Sequence, residues 1–382
     1  VRRAFVVVLD ACGAGALPDA AAYGDAGTNT LAHLAQATGG LRLPTLERLG
    51  LGSILPLEGV SPASDPVVHG LLHPLGPGKD STAGHWELMG VVAQKPLPTY
   101  PDGFPAEVLA LVRSVSGRGV LCNRPYNGID AIEHFAAEHV RTGELIVYTS
   151  QDSVLQIAAH IDIVGPDELY RICRSVREGL GDEHAVGRVI ARPFAGGGGR
   201  YERTDGRRDY SLAPPTRSYL QALQARSIPV HTVGKAGQLF AGLGVDEQHP
   251  GATNASALAE TRALIDELEE GFVFTNLIET DQVYGHRHDA TGFHRALQEI
   301  DAAVAGWLEL LSEDDLLILT ADHGCDVTAA HTDHTREYAP LLARFDAHGS
   351  RRHDGALADV GATVLKWLTG ADETALPGEA FV

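Results

Sequence analysis

Cysteine is scarce in this chain. Cys12, Cys122, Cys173 and Cys325 are widely spaced over 382 residues, and no Cys-x-x-Cys occurs. A disulfide framework and a paired-thiolate motif are therefore excluded, and a reduced, cytoplasmic protein is expected. Positive charge is outnumbered: 30 Lys and Arg stand against 50 Asp and Glu, for a net charge of −20. Nonspecific nucleic-acid binding is excluded on that ground, because the phosphate backbone would be repelled. A small phosphorylated substrate is not, since a pocket can be basic inside an acidic protein. Long apolar runs are also missing. No stretch approaches the ~20 residues of a membrane helix. The first run, Ala4–Leu9 after Arg2-Arg3, is too short for a signal-peptide core. A cytosolic chain without a membrane partner is the expectation. Gly13-x-Gly15 is followed by Pro18 where a dinucleotide fingerprint needs its third glycine, which removes that reading. Internal repeats are absent, and low complexity is confined to Gly196–Gly199.

What is present is a globular composition, 44% hydrophobic and 21% charged, at a length that predicts two domains. Ala4–Leu9 reads as a central strand of a parallel sheet, buried on both faces and ending at Asp10. Thr30–Ala37 reads as a helix capped by Thr28 or Asn29. Phe272–Ile278 and Asp315–Thr320 repeat the strand pattern and run into the polar clusters Glu279–Asp289 and Ala321–Asp326. Sites in open parallel sheets gather beyond the carboxyl ends of strands, so three such ends point to one shared site. Pro96–Pro105 is proline-rich and reads as a linker. Beyond it come a strand (Leu145–Thr149), a helix (Pro166–Leu180) and a strand (Val186–Ala191), closing near Pro214-Pro215. The expected organisation is a discontinuous α/β core, 1–95 with 215–382, and an inserted domain, 96–214.

The candidate chemistry lies in Asp10, Asp281, His286, Asp322, His323 and His334. Three carboxylates and three imidazoles suffice for two metal ions with three protein ligands each, and mixed O and N donors suit Mn²⁺ or Zn²⁺ better than Mg²⁺. Two such ions can clamp the attacking and leaving oxygens of a phosphoryl transfer. Each residue alone also has an ordinary role: Asp10 as a turn former or helix cap, Asp322-His323 as a surface pair, His334 as an exposed imidazole. The hydroxyls of Ser81 and Thr82 sit in Gly78-Lys-Asp-Ser-Thr-Ala-Gly-His-Trp-Glu87, between an apolar-leaning segment, Gly70–Leu75, and a helix-like run, His85–Val92. Either hydroxyl can cap a helix there. A metal or a base beside it would make it a nucleophile, and a helix starting there would aim its amides at a phosphoryl group. Arg188, Arg192, Arg203, Arg207, Arg208 and Lys235 are candidate phosphate binders, or, for Arg207 and Arg208, part of a solvated face.

These residues resemble the prokaryotic phosphopentomutases of the alkaline phosphatase superfamily, over nearly the whole chain. The likeness is carried by Pro18-Asp-Ala20 with Tyr23-Gly-Asp25, by Gly78–Glu87 and by Tyr148-Thr-Ser-Gln-Asp-Ser-Val-Leu-Gln-Ile-Ala-Ala-His160. Val186–Phe194, Gly285-His-Arg287, Ala321-Asp-His-Gly324 and Thr332-Asp-His-Thr-Arg-Glu337 continue it. The resemblance implies an alkaline-phosphatase-like core, with a mainly parallel sheet between helices and an inserted α/β cap. It implies interconversion of ribose 1-phosphate and ribose 5-phosphate, and of the 2-deoxyribose pair, with two Mn²⁺ ions and priming by a sugar bisphosphate such as glucose 1,6-bisphosphate. Asp10, Asp322 and His323 would hold one ion, and Asp281, His286 and His334 the other. Ser150, Asp152, Arg188, Arg203 and Lys235 would contact the sugar phosphate, and a closing cap would exclude water. Ser81 takes the place of the family's phosphorylated threonine. Glu279-Thr280 replaces an Asp-Phe pair, lengthening a carboxylate near the second ion, and Cys325 stands where asparagine is usual, not as an expected ligand. A phosphatase or another sugar-phosphate mutase on the same core is the alternative enzyme, and a silent sugar-phosphate binder the alternative outside catalysis.

Overall fold

In the computed structural model, which describes residues 1–150 and 152–382, Ala4–Leu9 is buried throughout and belongs to the strand Arg3–Leu9. Gly271–Leu277 and Asp315–Thr320 pair with it in parallel, one on each side. Val230–Val233 and Glu247–His249 extend the sheet in parallel beyond Gly271–Leu277. On the other flank Ala339–Arg344 runs antiparallel to Asp315–Thr320 and to Val67–His73, with Ser350–Arg352 at the end. Among the described residues this sheet has nine strands, counting the short Gly355–Ala356 beside Val67–His73. Helices cover both faces, as apolar strands buried on both sides require. Ala290–Leu308 packs with Thr30–Thr38 and Asn254–Glu267, and Asp359–Thr369 with Tyr219–Gln224 and Ser81–Leu88. All of these belong to one compact unit, Val1–Pro96 with Pro214–Val382.

The second unit is Leu97–Ala213. Its sheet runs in the order Val120–Pro125, Leu145–Thr149, Val154–His160, Arg188–Gly197, Arg200–Arg203, with Arg208–Ser211 also paired to Arg188–Gly197. Alternation along the strands divides its interior. Leu145, Val147, Leu155 and Ile157 face the helices Ala106–Ser116 and Pro166–Gly179, while Ile146, Tyr148, Ala158 and Phe194 face Gly128–Thr142. Gln151, inside the Tyr148–His160 motif, lies outside the described residues.

Three local expectations are corrected. The strand foreseen at Val186–Ala191 starts at Arg188 and continues to Gly197, so it absorbs half the glycine run. The remaining glycines turn the chain into a hairpin with Arg200–Arg203, at positive φ of 62° and 85° for Gly198 and Gly199, where residues with a Cβ are strained. The helix foreseen over His85–Val92 spans Ser81–Leu88, because Asp80 caps it four residues earlier. Neither Ser81 nor Thr82 is the cap: the Asp80 carboxylate accepts the Ala83 amide at 3.1 Å.

Candidate metal centre

The three central strands, each ending in an acidic residue or leading to one, are neighbours in the sheet, with Leu9 level with Leu277 and Val8 level with both Asn276 and Thr320. Asp10 therefore follows the middle strand, Asp322-His323 follows one neighbour, and Asp281 follows the other. Asp281 is carried on a single wide π-helical turn, Thr280–Tyr284, that leads into His286. His334 arrives from the segment before Ala339–Arg344, held by an antiparallel bridge between Gly324 and Thr335. Three stretches far apart in sequence meet because parallel strands deliver their ends to one side, and the His334 segment joins them because the antiparallel strand it precedes begins at that same side.

The polar atoms lie at contact distance. His323 Nε2 is 3.4 Å from Asp10 Oδ1 and 3.2 Å from Asp322 Oδ2. His286 Nε2 is 3.4 Å from Asp281 Oδ2, and His334 Nε2 is 3.3 Å from Asp281 Oδ1. The two Nε2 atoms of His286 and His334 are 3.1 Å apart, and the His323 and His334 rings stack at 3.9 Å between centroids. The six candidate ligands thus form two triads joined at the His323–His334 stack.

Outer partners fix the protons. His286 Nδ1–H donates to the Thr332 carbonyl and His323 Nδ1–H to the Gly324 carbonyl, so Nε2 of each points into the cluster, where it can offer a lone pair to an ion or hold a proton without one. Asp322 Oδ1 accepts the amides of Ala11 and His323. Asn276 donates to Asp10 Oδ2 at 3.0 Å. The buried oxygens Asp10 Oδ1, Asp281 Oδ1 and Asp322 Oδ2 accept no hydrogen bond. Buried carboxylate oxygens facing imidazole Nε2 atoms are a donor set that fits divalent cations.

The electrostatics of the bare cluster agree. Burial, reinforced by Asp322 and Asp281, pushes the Asp10 carboxyl up to about 7. Burial would also raise Asp322, but His323 and His85 outweigh it and hold that carboxyl below its usual range. Asp281 is likewise driven down against its burial, by His334 and His286. Burial opposes the charged form of His286, and Asp281 more than reverses it, to about 12. Without an ion, protons held between the buried carboxylates and imidazoles offset the negative charge that a cation would otherwise neutralise.

Ser81 is the first residue of its helix, half-buried, with Oγ 3.1 Å from His323 Nε2. Thr82 is buried. The helix is pressed against the strand end carrying Asp322: a Cβ on Gly84 would lie 2.4 Å from the Asp322 carbonyl oxygen, so only glycine permits this approach. Cys325 lies in the same cluster, its Sγ within 4.8 Å of ligand atoms of Asp281 and His286, and burial raises its thiol pKa. The Glu279 carboxylate turns elsewhere, accepting the Asn254 amide at 2.6 Å.

The remaining candidates lie apart in the chain. Lys235 follows the strand Val230–Val233, its Nζ 3.4 Å from Gln282 Oε1. Within the second unit, Arg188 pairs with Asp152 at 3.3 Å and Asp209 at 3.7 Å. Asp152 donates its amide to Ser150 Oγ. Arg203 and Arg207 act on Tyr148, and the Arg192 guanidinium is lowered to about 10 by burial and by its neighbours Arg207 and Arg203. Asp209 answers part of this positive charge, accepting from Arg207 through both carboxylate oxygens at 2.7 Å.

Sequence reasoning missed the supporting layer. His85 joins Ser81 to the cluster: its Nδ1 is 2.8 Å from the Ser81 carbonyl oxygen and 3.1 Å from Asp322 Oδ2, and its Nε2 is 2.7 Å from Asn276 Nδ2. Asp25, fully buried, holds Lys79, His331 and the Arg336 amide together at 2.8–3.0 Å. The available signal was Thr275-Asn276, two polar residues in an apolar strand, and the placing of Asp25 and His85 inside the motifs Tyr23-Gly-Asp25 and Gly78–Glu87.

Known proteins decide the family. A model of the metalloenzyme superfamily matches residues 2–371. The phosphopentomutase of Caldanaerobacter subterraneus subsp. tengcongensis is 45% identical over 96% of this chain and 94% of its own. That of Anaeromyxobacter sp. (strain K) is 47% identical over 96% and 95%. The chain belongs to the phosphopentomutase family. It is accordingly an enzyme, an isomerase of the intramolecular phosphotransferase kind, on an α/β fold with a mainly parallel sheet between helices. A solved protein of the alkaline phosphatase superfamily from Vibrio parahaemolyticus is a distant likeness, 12% identical over 97% of this chain and 67% of its own, with a TM-score of 0.43. Among the described residues no helix is long and apolar enough to cross a membrane.

Proposed function

We propose that this phosphopentomutase interconverts ribose 1-phosphate and ribose 5-phosphate, and the 2-deoxyribose pair, through a phosphorylated Ser81. What supports the assignment of Ser81 is its hydroxyl, 3.1 Å from His323 Nε2 at the edge of the carboxylate–imidazole cluster. Two divalent ions, Mn²⁺ in this reading, would be held by Asp10, Asp322 and His323 and by Asp281, His286 and His334, and would supply charge neutralisation for the transferring phosphoryl group and a lowered pKa for the serine hydroxyl.

The chain's own groups do the rest. Phosphorylated Ser81, formed by priming with a sugar bisphosphate such as glucose 1,6-bisphosphate, gives its phosphoryl group to the free hydroxyl of the pentose phosphate. The P–Oγ bond breaks, a P–O bond to the sugar forms, and the hydroxyl proton ends on Ser81 Oγ. The pentose bisphosphate then returns its other phosphoryl group to Ser81 and takes the proton back. The amides at the start of Ser81–Leu88 face the phosphoryl group. Ser150, Asp152, Arg188 and Arg203 of the inserted domain, and Lys235 of the discontinuous core, supply polar and cationic recognition of the sugar phosphate. Domain limits of 96–214 for the insertion and 1–95 with 215–382 for the core go with this division of labour, as does a cytoplasmic setting.

The reading is tested by ³¹P NMR of metal-loaded protein with ribose 5-phosphate and a trace of bisphosphate. Equilibration of the two phosphate resonances with little orthophosphate is expected. Stoichiometric orthophosphate release would make the protein a phosphatase, and no change at all a binder.

A further inference from the structure

At the free edge of the larger sheet, His231, Glu247 and His249 form a second cluster of ligand-type side chains. Among the described residues the edge strand Glu247–His249 pairs with Val230–Val233 alone, with His231 level with Glu247. The two-residue period of a strand puts His249 on the same face as Glu247, so all three side chains converge. His231 Nδ1 is 3.0 Å from His249 Nε2. One carboxylate oxygen of Glu247 lies 3.8 Å from the first nitrogen and 3.7 Å from the second. Tetrahedral zinc ligands with bonds of about 2.0–2.2 Å stand about 3.3 Å from one another, so this triangle needs only small side-chain adjustments to close on an ion.

The outer arrangement points the same way. His249 Nδ1 lies 2.9 Å from Glu260 Oε1 on the helix Asn254–Glu267. That partner fixes the proton on Nδ1 and leaves Nε2 as a lone pair directed at His231 and Glu247. A carboxylate behind an imidazole is the usual means of orienting a metal-binding histidine. A mere histidine–histidine hydrogen bond needs neither Glu247 in front nor Glu260 behind. The His231 side chain is 10% exposed and that of His249 16%, but that of Glu247 is 65% exposed, so an ion has a path from solvent.

We propose that His231, His249 and Glu247 form a separate divalent-cation site, suited to Zn²⁺, that ties the edge strand to its neighbour. Two imidazoles and one carboxylate favour a borderline ion over Mg²⁺ or Ca²⁺. The site draws on none of the residues assigned to phosphoryl transfer, and the inference does not rest on that assignment.

The test uses the full chain, stripped of metal and dialysed to equilibrium against Zn²⁺, with bound zinc measured per chain. His231→Gln/His249→Gln is expected to bind one equivalent fewer than the parent, and to keep its mutase activity when assayed with Mn²⁺. Zinc should also raise the melting temperature of the parent more than that of the variant. Should the double variant fail to fold, Glu247→Gln serves, because its side chain is exposed. It and Glu260→Gln are each expected to weaken that one equivalent about tenfold or more. Unchanged zinc content and an unchanged zinc titration in these variants would overturn the site and leave a hydrogen-bonded sheet edge.

Discussion

Ser81 and Thr82 are adjacent hydroxyls with different surroundings. Ser81 is half-buried and meets His323, whereas Thr82 is buried in the helix packing. Ser81→Ala is therefore expected to abolish turnover and phosphoenzyme formation. Thr82→Ala is expected to lose about 1 kcal/mol of stability, for a methyl and a hydroxyl, and to retain measurable turnover. Peptide mapping of the phosphoenzyme checks the assignment, and phosphate on Thr82 would reverse it. Asn276 presents a second case. Its amide holds Asp10 Oδ2 and touches His85 Nε2, so it positions a candidate ligand without being one. Asn276→Ala is expected to weaken metal binding about 10–100-fold. Measured as the Mn²⁺ concentration for half-maximal activity, that change separates a positioning role from general destabilisation, because excess metal restores the rate. The candidate cluster was legible in the sequence, since Asp and His after apolar strands carry their own signal. His85, Asn276 and Asp25 were not, because a side chain that acts through another is recognisable only from its contacts.

At the scale of elements, the strands were legible because burial on both faces writes a continuous apolar run. Ala4–Leu9, Asp315–Thr320 and Leu145–Thr149 are visible in that way. Boundaries set by polar caps were harder to read. The helix at Ser81 begins where Asp80 accepts an amide, a choice that composition leaves open among three adjacent side chains. The strand Asp315–Thr320 begins with a different polar device. Arg3 reaches both oxygens of Asp315 at 2.7 Å, and Ser312 donates its amide and hydroxyl to the same carboxylate. Burial raises the Asp315 pKa, but these donors outweigh it and the folded value lies below the usual one. A depressed folded pKa means stability that is complete above about pH 4, the unfolded value, and lost as the pH falls through the folded one. Asp315→Asn is expected to cost about 1.5–3 kcal/mol near neutrality and less below the folded pKa. Urea midpoints for both proteins between neutral pH and strongly acidic pH would show the gap narrowing on acidification; a constant gap would mean that Asp315 acts by packing alone.

For the molecule as a whole, the acidic charge of −20 and the folded architecture answer different questions. The charge speaks against polyanionic partners. Local clusters such as Arg192, Arg203 and Arg207 keep their own sign inside it, and the total does not reveal them. The chain's organisation bears on stability more directly. The unit built from Val1–Pro96 and Pro214–Val382 contains all six candidate ligands, whereas Leu97–Ala213 has a sheet, three helices and two apolar clusters of its own. Ligand binding stabilises only what it binds, by about 2.7 kcal/mol when the ion is at 100 times its dissociation constant. Metal removal by a chelator is therefore expected to lower the melting temperature of the discontinuous unit and to leave the inserted one unchanged. Calorimetry with and without Mn²⁺ should resolve two transitions, of which one moves. The excised segment 97–213 should melt cooperatively at a temperature indifferent to chelator, since the described residues of its two apolar clusters all lie within it. A single transition that shifts as a whole would mean that the two units unfold together, and that ligands held by one stabilise both.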